Sequence, residues 1–203
     1  MDECKQRIVC LDFESTLVPE FWPEVAEQLG IDDLRITTRE FPDFAELMRR
    51  RIKILNERGI KLDQLVKIAD SVQPLPGALE FIKKLQNKIP RVVIVSDFAE
   101  QLAAPMIQKF GGLTYFGHSF AVDDSGTITG YNFRQDNPKG KVVEALKSLN
   151  LEVYAAGDSH NDVPMLATAD KGVLFCGSDS MKKEYPSLAT AESFDELLLL
   201  LTN

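Results

Sequence analysis

Arg7-Ile8-Val9-Cys10-Leu11-Asp12-Phe13-Glu14 sets an unbroken apolar run, bounded by charge on both sides, directly before two acids spaced two residues apart. Such a run reads as a strand buried on both faces, the kind that parallel sheets contain. Similar runs recur at residues 92–95, 153–156 and 172–175. Helical periodicity marks residues 78–88, 100–110, 139–149, 162–169 and 194–201. Strand alternating with helix predicts an α/β fold built on a parallel sheet.

Between the first and second strands about eighty residues intervene, too many for an ordinary crossover, and nearly all of their pattern is helical. Pro23 and Gly30 bracket one short helix, and Thr37 with Glu40 forms a capping-box pattern ahead of another. Pro74-Leu75-Pro76-Gly77 closes the segment. Residues 17–75 therefore read as a helical cap inserted into an α/β core made of residues 1–16 and 76–203. Within the cap, Phe44, Leu47, Met48, Ile52 and Leu55 share one helical face, and Arg51 falls on it. A guanidinium among apolar neighbours wants an anion such as a carboxylate; a salt bridge inside the cap or a snorkelling side chain is the plainer alternative. Residues 115–134 differ again: two β-rich stretches flank Asp123-Asp124-Ser125-Gly126, a hairpin signal.

The chain has 203 residues, enough for one large domain or a core with an insertion. With 31 acidic and 23 basic residues its net charge is −8, which argues against a broad nucleic-acid or anionic-membrane footprint. Cys4, Cys10 and Cys176 form no C-x-x-C pair and read as packing residues of a reducing cytosol. The longest apolar run, residues 197–201, falls far short of the roughly 18 residues of a membrane span. A cytoplasmic location is the expectation.

Four segments carry the chemistry: Asp12 with Glu14; Ser96-Asp97; Lys139 in Asn137-Pro138-Lys139-Gly140-Lys141; and Gly157-Asp158-Ser159-His160-Asn161-Asp162. Each has an ordinary use by itself. Ser96 could cap the next helix, Asp158 could serve a turn, Asp162 could be an N-cap, and a lysine at a helix start is commonly solvated. Together, in this order, each sits at a strand end or helix start, where open parallel sheets collect their ligands. A carboxylate can attack phosphorus to form an acyl phosphate, and Asp12 is the candidate nucleophile. Glu14 lies on the same side of an extended segment and could protonate the leaving alcohol, then activate water. Phosphate approaching Asp12 and Asp158 needs a hard cation, which points to Mg²⁺, and Lys139 adds a second positive charge. Asn137 is the expected N-cap of the lysine's helix, with Pro138 in its first turn. His160 reads as a loop residue near the mouth, His118 belongs to no constellation, Phe21 and Trp22 pack the cap or gate its entrance, with packing favoured, and Lys141 and Lys147 face solvent.

These segments resemble the four motifs of the haloacid dehalogenase superfamily, and nearly the whole chain is similar to its phosphoserine phosphatase branch. The resemblance implies a Rossmann-like parallel core with Asp12 as nucleophile and Glu14 as acid/base. It places Ser96, Asp97, Lys139 and Asn161 around phosphate. Asp12, the Glu14 carbonyl and Asp158 would ligate magnesium, with Asp162 in support. Arg51 and Glu20 would take the carboxylate and ammonium of O-phospho-L-serine. Two departures stand out: Glu14 where the usual pattern is D-x-D, and Asp97 where many members have glycine. Both resemble a smaller group that hydrolyses phosphoserine or passes its phosphoryl group to homoserine; that group also shares the Leu17-Val18-Pro19-Glu20 run. Three alternatives stay open: a phosphatase for nucleotides or sugar phosphates, a regulatory phosphoacceptor, and a binding protein without turnover. Oligomeric state is unreadable from the residues.

Overall fold

A computed structural model describes residues 5–38, 40–41 and 43–203, so Cys4 lies outside the described residues. Strand β1 (Gln6–Leu11) is followed by four helices, α1 (Phe21–Leu29), α2 (Phe44–Glu57), α3 (Leu62–Ser71) and α4 (Ala78–Lys88). Then come β2 (Val92–Ala99), α5 (Glu100–Gln108), β3 (Thr114–Val122), β4 (Ile128–Asn132) and α6 (Pro138–Ser148). The chain finishes with β5 (Leu151–Gly157), α7 (Val163–Thr168), β6 (Lys171–Phe175), α8 (Asp179–Glu184), β7 (Ala189–Ala191) and α9 (Phe194–Thr202).

One seven-stranded sheet runs in the order β4-β3-β2-β1-β5-β6-β7, and every pairing is parallel except β3 with β4. The α/β expectation is borne out. The continuous apolar run of β1 has a simple cause: Val9 and Leu11 enter one buried cluster, while Ile8 and Cys10 enter the other, on the opposite face. Burying each such aliphatic side chain contributes about 1.5–3 kcal/mol. β1 pairs with β2 on one side and β5 on the other, so the strand order reverses at β1, where a crevice opens beyond the carboxyl ends.

Several local expectations need correction. Thr37 N–H and Oγ1 do donate to Glu40, at 2.8 and 2.6 Å, but this box closes a turn, and the helix that follows is capped by Asp43, which accepts from Glu46 N. Ser96 does not cap α5, whose N-cap is Ala99; its Oγ accepts from Phe98 N instead. Cys10 is buried as expected, whereas Cys176 is exposed. Lys147 is not simply solvated, since it bridges Asp170 at 2.9 Å and the Thr168 carbonyl at 3.0 Å. The hairpin turn forms where Asp123-Asp124-Ser125-Gly126 marks it: Asp123 accepts from Ser125 N and Thr127 N, and Gly126 takes a φ of 83°, which suits glycine.

The hairpin also holds the helical segment. Asn56 Nδ2 donates to the Ile128 carbonyl at 3.0 Å, Lys61 Nζ to that of Ser125 at 2.7 Å, and Leu62 N–H to that of Gly126 at 3.0 Å. No helix among the described residues is long and apolar enough to cross a membrane.

Candidate active site

Asp12 follows β1 immediately and Asp158 follows β5, so neighbouring parallel strands deliver both acids to the same edge. Ser96 and Asp97 sit where the β2–β3 register breaks between Val95 and Ala99, an irregularity that re-aims side chains. Tyr115 and Tyr131 pin this bend, their hydroxyls donating to the carbonyls of Phe98 and Asp97 at 2.6 Å. Lys139 enters from the first turn of α6. Asn137 caps that helix as expected: it adopts a left-handed backbone and accepts from Gly140 N.

The four segments meet. Lys139 Nζ donates to Asp12 Oδ1 at 2.7 Å and to Asp162 Oδ1 at 2.6 Å, and lies 3.9 Å from Asp97 Oδ2. Burial alone would disfavour the ammonium, yet these carboxylates hold its pKa well above the usual lysine value. Carboxylate oxygens of Asp12, Asp158 and Asp162 lie within 4.8 Å of one another. Burial, Asp162 and Asp158 push the Asp12 carboxyl up against the pull of Lys139. Three carboxylates around one ammonium, with Asp158 beside two of them, leave the crevice too negative for an anion, and an all-oxygen donor set this compact fits a hard divalent cation.

Asp162 is fully buried and its oxygens are already engaged. Oδ2 accepts from Asp158 N, Ser159 N and Ser159 Oγ at 2.9–3.0 Å, while Oδ1 takes Lys139. Its place beside strand β5 requires Gly157, because a Cβ there would lie 2.4 Å from Asp162 Cγ. Asn161 and His160 line the mouth of the same cavity, and His160 pairs with Glu184 at 3.2 Å on the surface.

Glu14 points into the cavity and accepts from Phe21 N at 2.9 Å. Burial lifts its pKa to about 7, outweighing the pull of that hydrogen bond and of Arg51. The cavity, of about 700 Å³, extends from Asp12 and Ser96 to Glu20, Trp22 and Arg51. Arg51 is 4% exposed, and burial lowers its pKa to about 10. Its guanidinium lies 4.4 Å over the Trp22 ring, and Nη2 donates to the Ile36 carbonyl at 2.7 Å. Nε is buried with no hydrogen-bond partner among the described residues. Glu20 lines the cavity with one oxygen 3.5 Å from Ser15 Oγ.

The partners of Trp22 and His118 escaped sequence reading. Trp22 packs as expected but also faces Arg51, an aromatic–cation contact that helical spacing does not encode. His118 is not isolated: Nε2 lies 3.5 Å from Asp97 Oδ1. Only the β2–β3 pairing, which sets His118 opposite Ala99, brings them together.

This arrangement has counterparts. A profile of haloacid dehalogenase-like hydrolases matches residues 6–170. A phosphoserine phosphatase of Pseudomonas syringae pv. tomato is 41% identical over 96% of the chain and 82% of its own length. The phosphoserine phosphatase ThrH of Pseudomonas aeruginosa is 40% identical over 94% and 92%. A solved structure described as a phospho-aspartyl intermediate analogue of phosphoserine phosphatase superposes with a TM-score of 0.78 at 26% identity, covering 96% of this chain and 98% of its own. The chain belongs to the haloacid dehalogenase-like hydrolases. Within that family it is a phosphomonoester hydrolase.

Proposed function

We propose that this enzyme hydrolyses O-phospho-L-serine through an aspartyl-phosphate at Asp12. The observation that carries the substrate assignment is Arg51. It lines the same cavity as Asp12, buried and set over the Trp22 ring, a guanidinium suited to a small carboxylate. Glu20 lines the same cavity, and the substrate ammonium is assigned to it. The names of the relatives at 40–41% identity support the same ester.

In the first step an Asp12 oxygen attacks phosphorus, the ester oxygen departs, and neutral Glu14 gives that oxygen its proton, releasing serine. In the second, Glu14 takes a proton from water as the water oxygen attacks phosphorus, freeing Asp12 and inorganic phosphate. Ser96, the main-chain amide of Asp97, Lys139 and Asn161 bind the phosphoryl oxygens. Mg²⁺ held by Asp12, Asp158 and the Glu14 carbonyl, with Asp162 positioning Lys139 and the loop, would supply the remaining neutralising charge. Residues 17–75 act as a cap over the core of residues 1–16 and 76–203, excluding bulk water.

Glu14 and Asp97, the two departures from the wider branch, favour a second outcome in which homoserine replaces water as acceptor. Phosphate release from a panel of small phosphomonoesters with Mg²⁺, repeated with homoserine, tests both. Phosphoserine should lead the panel and phosphohomoserine should appear among the products. Preference for a sugar or nucleotide phosphate would overturn the assignment.

A further inference from the structure

His118 is 3% exposed on β3 and enclosed by the rings of Phe44, Tyr131 and Phe133, surroundings that suit an aromatic ring without polar atoms. Yet both of its nitrogens meet polar groups. Nδ1 accepts from Arg134 N at 3.1 Å, so the proton of the neutral ring sits on Nε2. Nε2 in turn faces Asp97 Oδ1 at 3.5 Å.

The second oxygen of Asp97 lies 3.9 Å from Lys139 Nζ, outside hydrogen-bond range. Two of the three ammonium donors are engaged by Asp12 and Asp162. The third is what Lys139 has to offer a phosphoryl oxygen. A shift of roughly 1 Å would let Asp97 capture that donor, since an N–H···O bond forms at about 2.9 Å. The charges favour the shift; Nε2–H of His118, 3.5 Å from the other oxygen of the same carboxylate, is the donor placed to resist it.

We propose that His118 is a positioning residue that holds the Asp97 carboxylate back from Lys139, keeping the third ammonium donor directed at phosphate. The proposal rests on Lys139 binding phosphate, and it is independent of which ester is the natural substrate. It also explains how the pocket tolerates an acid at position 97.

Hydrolysis of p-nitrophenyl phosphate and its competitive inhibition by inorganic phosphate, both with Mg²⁺, test it in a cycle of His118→Phe, Asp97→Gly and the double variant. His118→Phe fits the ring cage and should unfold near the wild-type temperature. Its kcat/KM should fall about tenfold and phosphate should inhibit about tenfold more weakly. His118→Gln, which keeps a donor on a similar reach, should retain most of the activity. On Asp97→Gly, the His118→Phe change should cost nothing further. An equal loss with and without the Asp97 carboxylate would mean that His118 only packs, and overturn the proposal. Asp97→Asn provides a reading free of any His118 substitution: it should bind inorganic phosphate more tightly than the wild type, and weaker binding overturns the proposal. Failure of phosphoserine as substrate would remove the assignment above and leave this cycle readable.

Discussion

The carboxylate of Asp12 and the ammonium of Lys139, 127 positions apart in the chain, form a 2.7 Å ion pair in which both side chains are almost fully buried. Asp12→Asn should lower turnover at least about ten-thousand-fold and abolish acid-stable labelling of the protein by labelled phosphoserine. Because burial, Asp162 and Asp158 raise the Asp12 pKa, its charge opposes folding at neutral pH in the absence of a cation. The amide should therefore raise the melting temperature in metal-free buffer. A fall would contradict that account of the crevice.

Burial of Glu14 predicts a pH dependence whose sign follows from its raised pKa. With its pKa raised to about 7, the proton-donating form predominates below that value and is lost above it. Rapid-quench measurement should show phosphorylation of the protein slowing as pH rises through about 7, while hydrolysis of the phosphoenzyme accelerates over the same interval. In Glu14→Gln both dependences should vanish.

Arg51→Ala should raise KM for phosphoserine about ten- to a hundredfold, the range of a charge-assisted contact, and leave esters lacking a carboxylate nearly unchanged. Arg51→Lys should not restore affinity, because a lysine has no planar fork to offer a carboxylate. Equal effects on both kinds of ester, measured by steady-state kinetics, would remove Arg51 from substrate recognition.

Magnesium should raise the melting temperature of the wild type, with about 2.7 kcal/mol of stabilisation at a hundredfold excess over the dissociation constant. Asp158→Asn should abolish most of that rise, as read by calorimetry with and without chelator.

Asp162→Ala should destabilise the fold by about 3 kcal/mol, because it strands three donors of the Asp158–Ser159 turn and leaves the Lys139 ammonium with Asp12 as its one hydrogen-bonded carboxylate. Chemical denaturation would detect the change.

The parallel core was legible because β1, β2, β5 and β6 bury both faces and so appear as unbroken apolar runs. β7 and α8 were missed: three residues at the sheet edge and six of helix are too short for periodicity to register. Motif spacing located Asp12, Ser96, Lys139 and Asp158, since strand ends are positions that a sequence displays. The Thr37–Glu40 box misled for a physical reason, as the same bonds close a free turn as readily as they cap a helix. His118 and the Trp22–Arg51 contact were invisible because their partners are fixed by strand register and helix packing, which no local pattern records.

Asn56, Lys61 and Leu62 tie the helices over the cavity to the hairpin, and Tyr131 of that hairpin ties back to the Asp97 carbonyl. Any swing of those helices away from the sheet must snap three hydrogen bonds or drag the edge strands along. In the second case the tug arrives at position 97, beside the Lys139 ammonium. Under the function proposed above, lid and phosphate-binding segment would then move as one lever, and the opening that readmits water would also release inorganic phosphate.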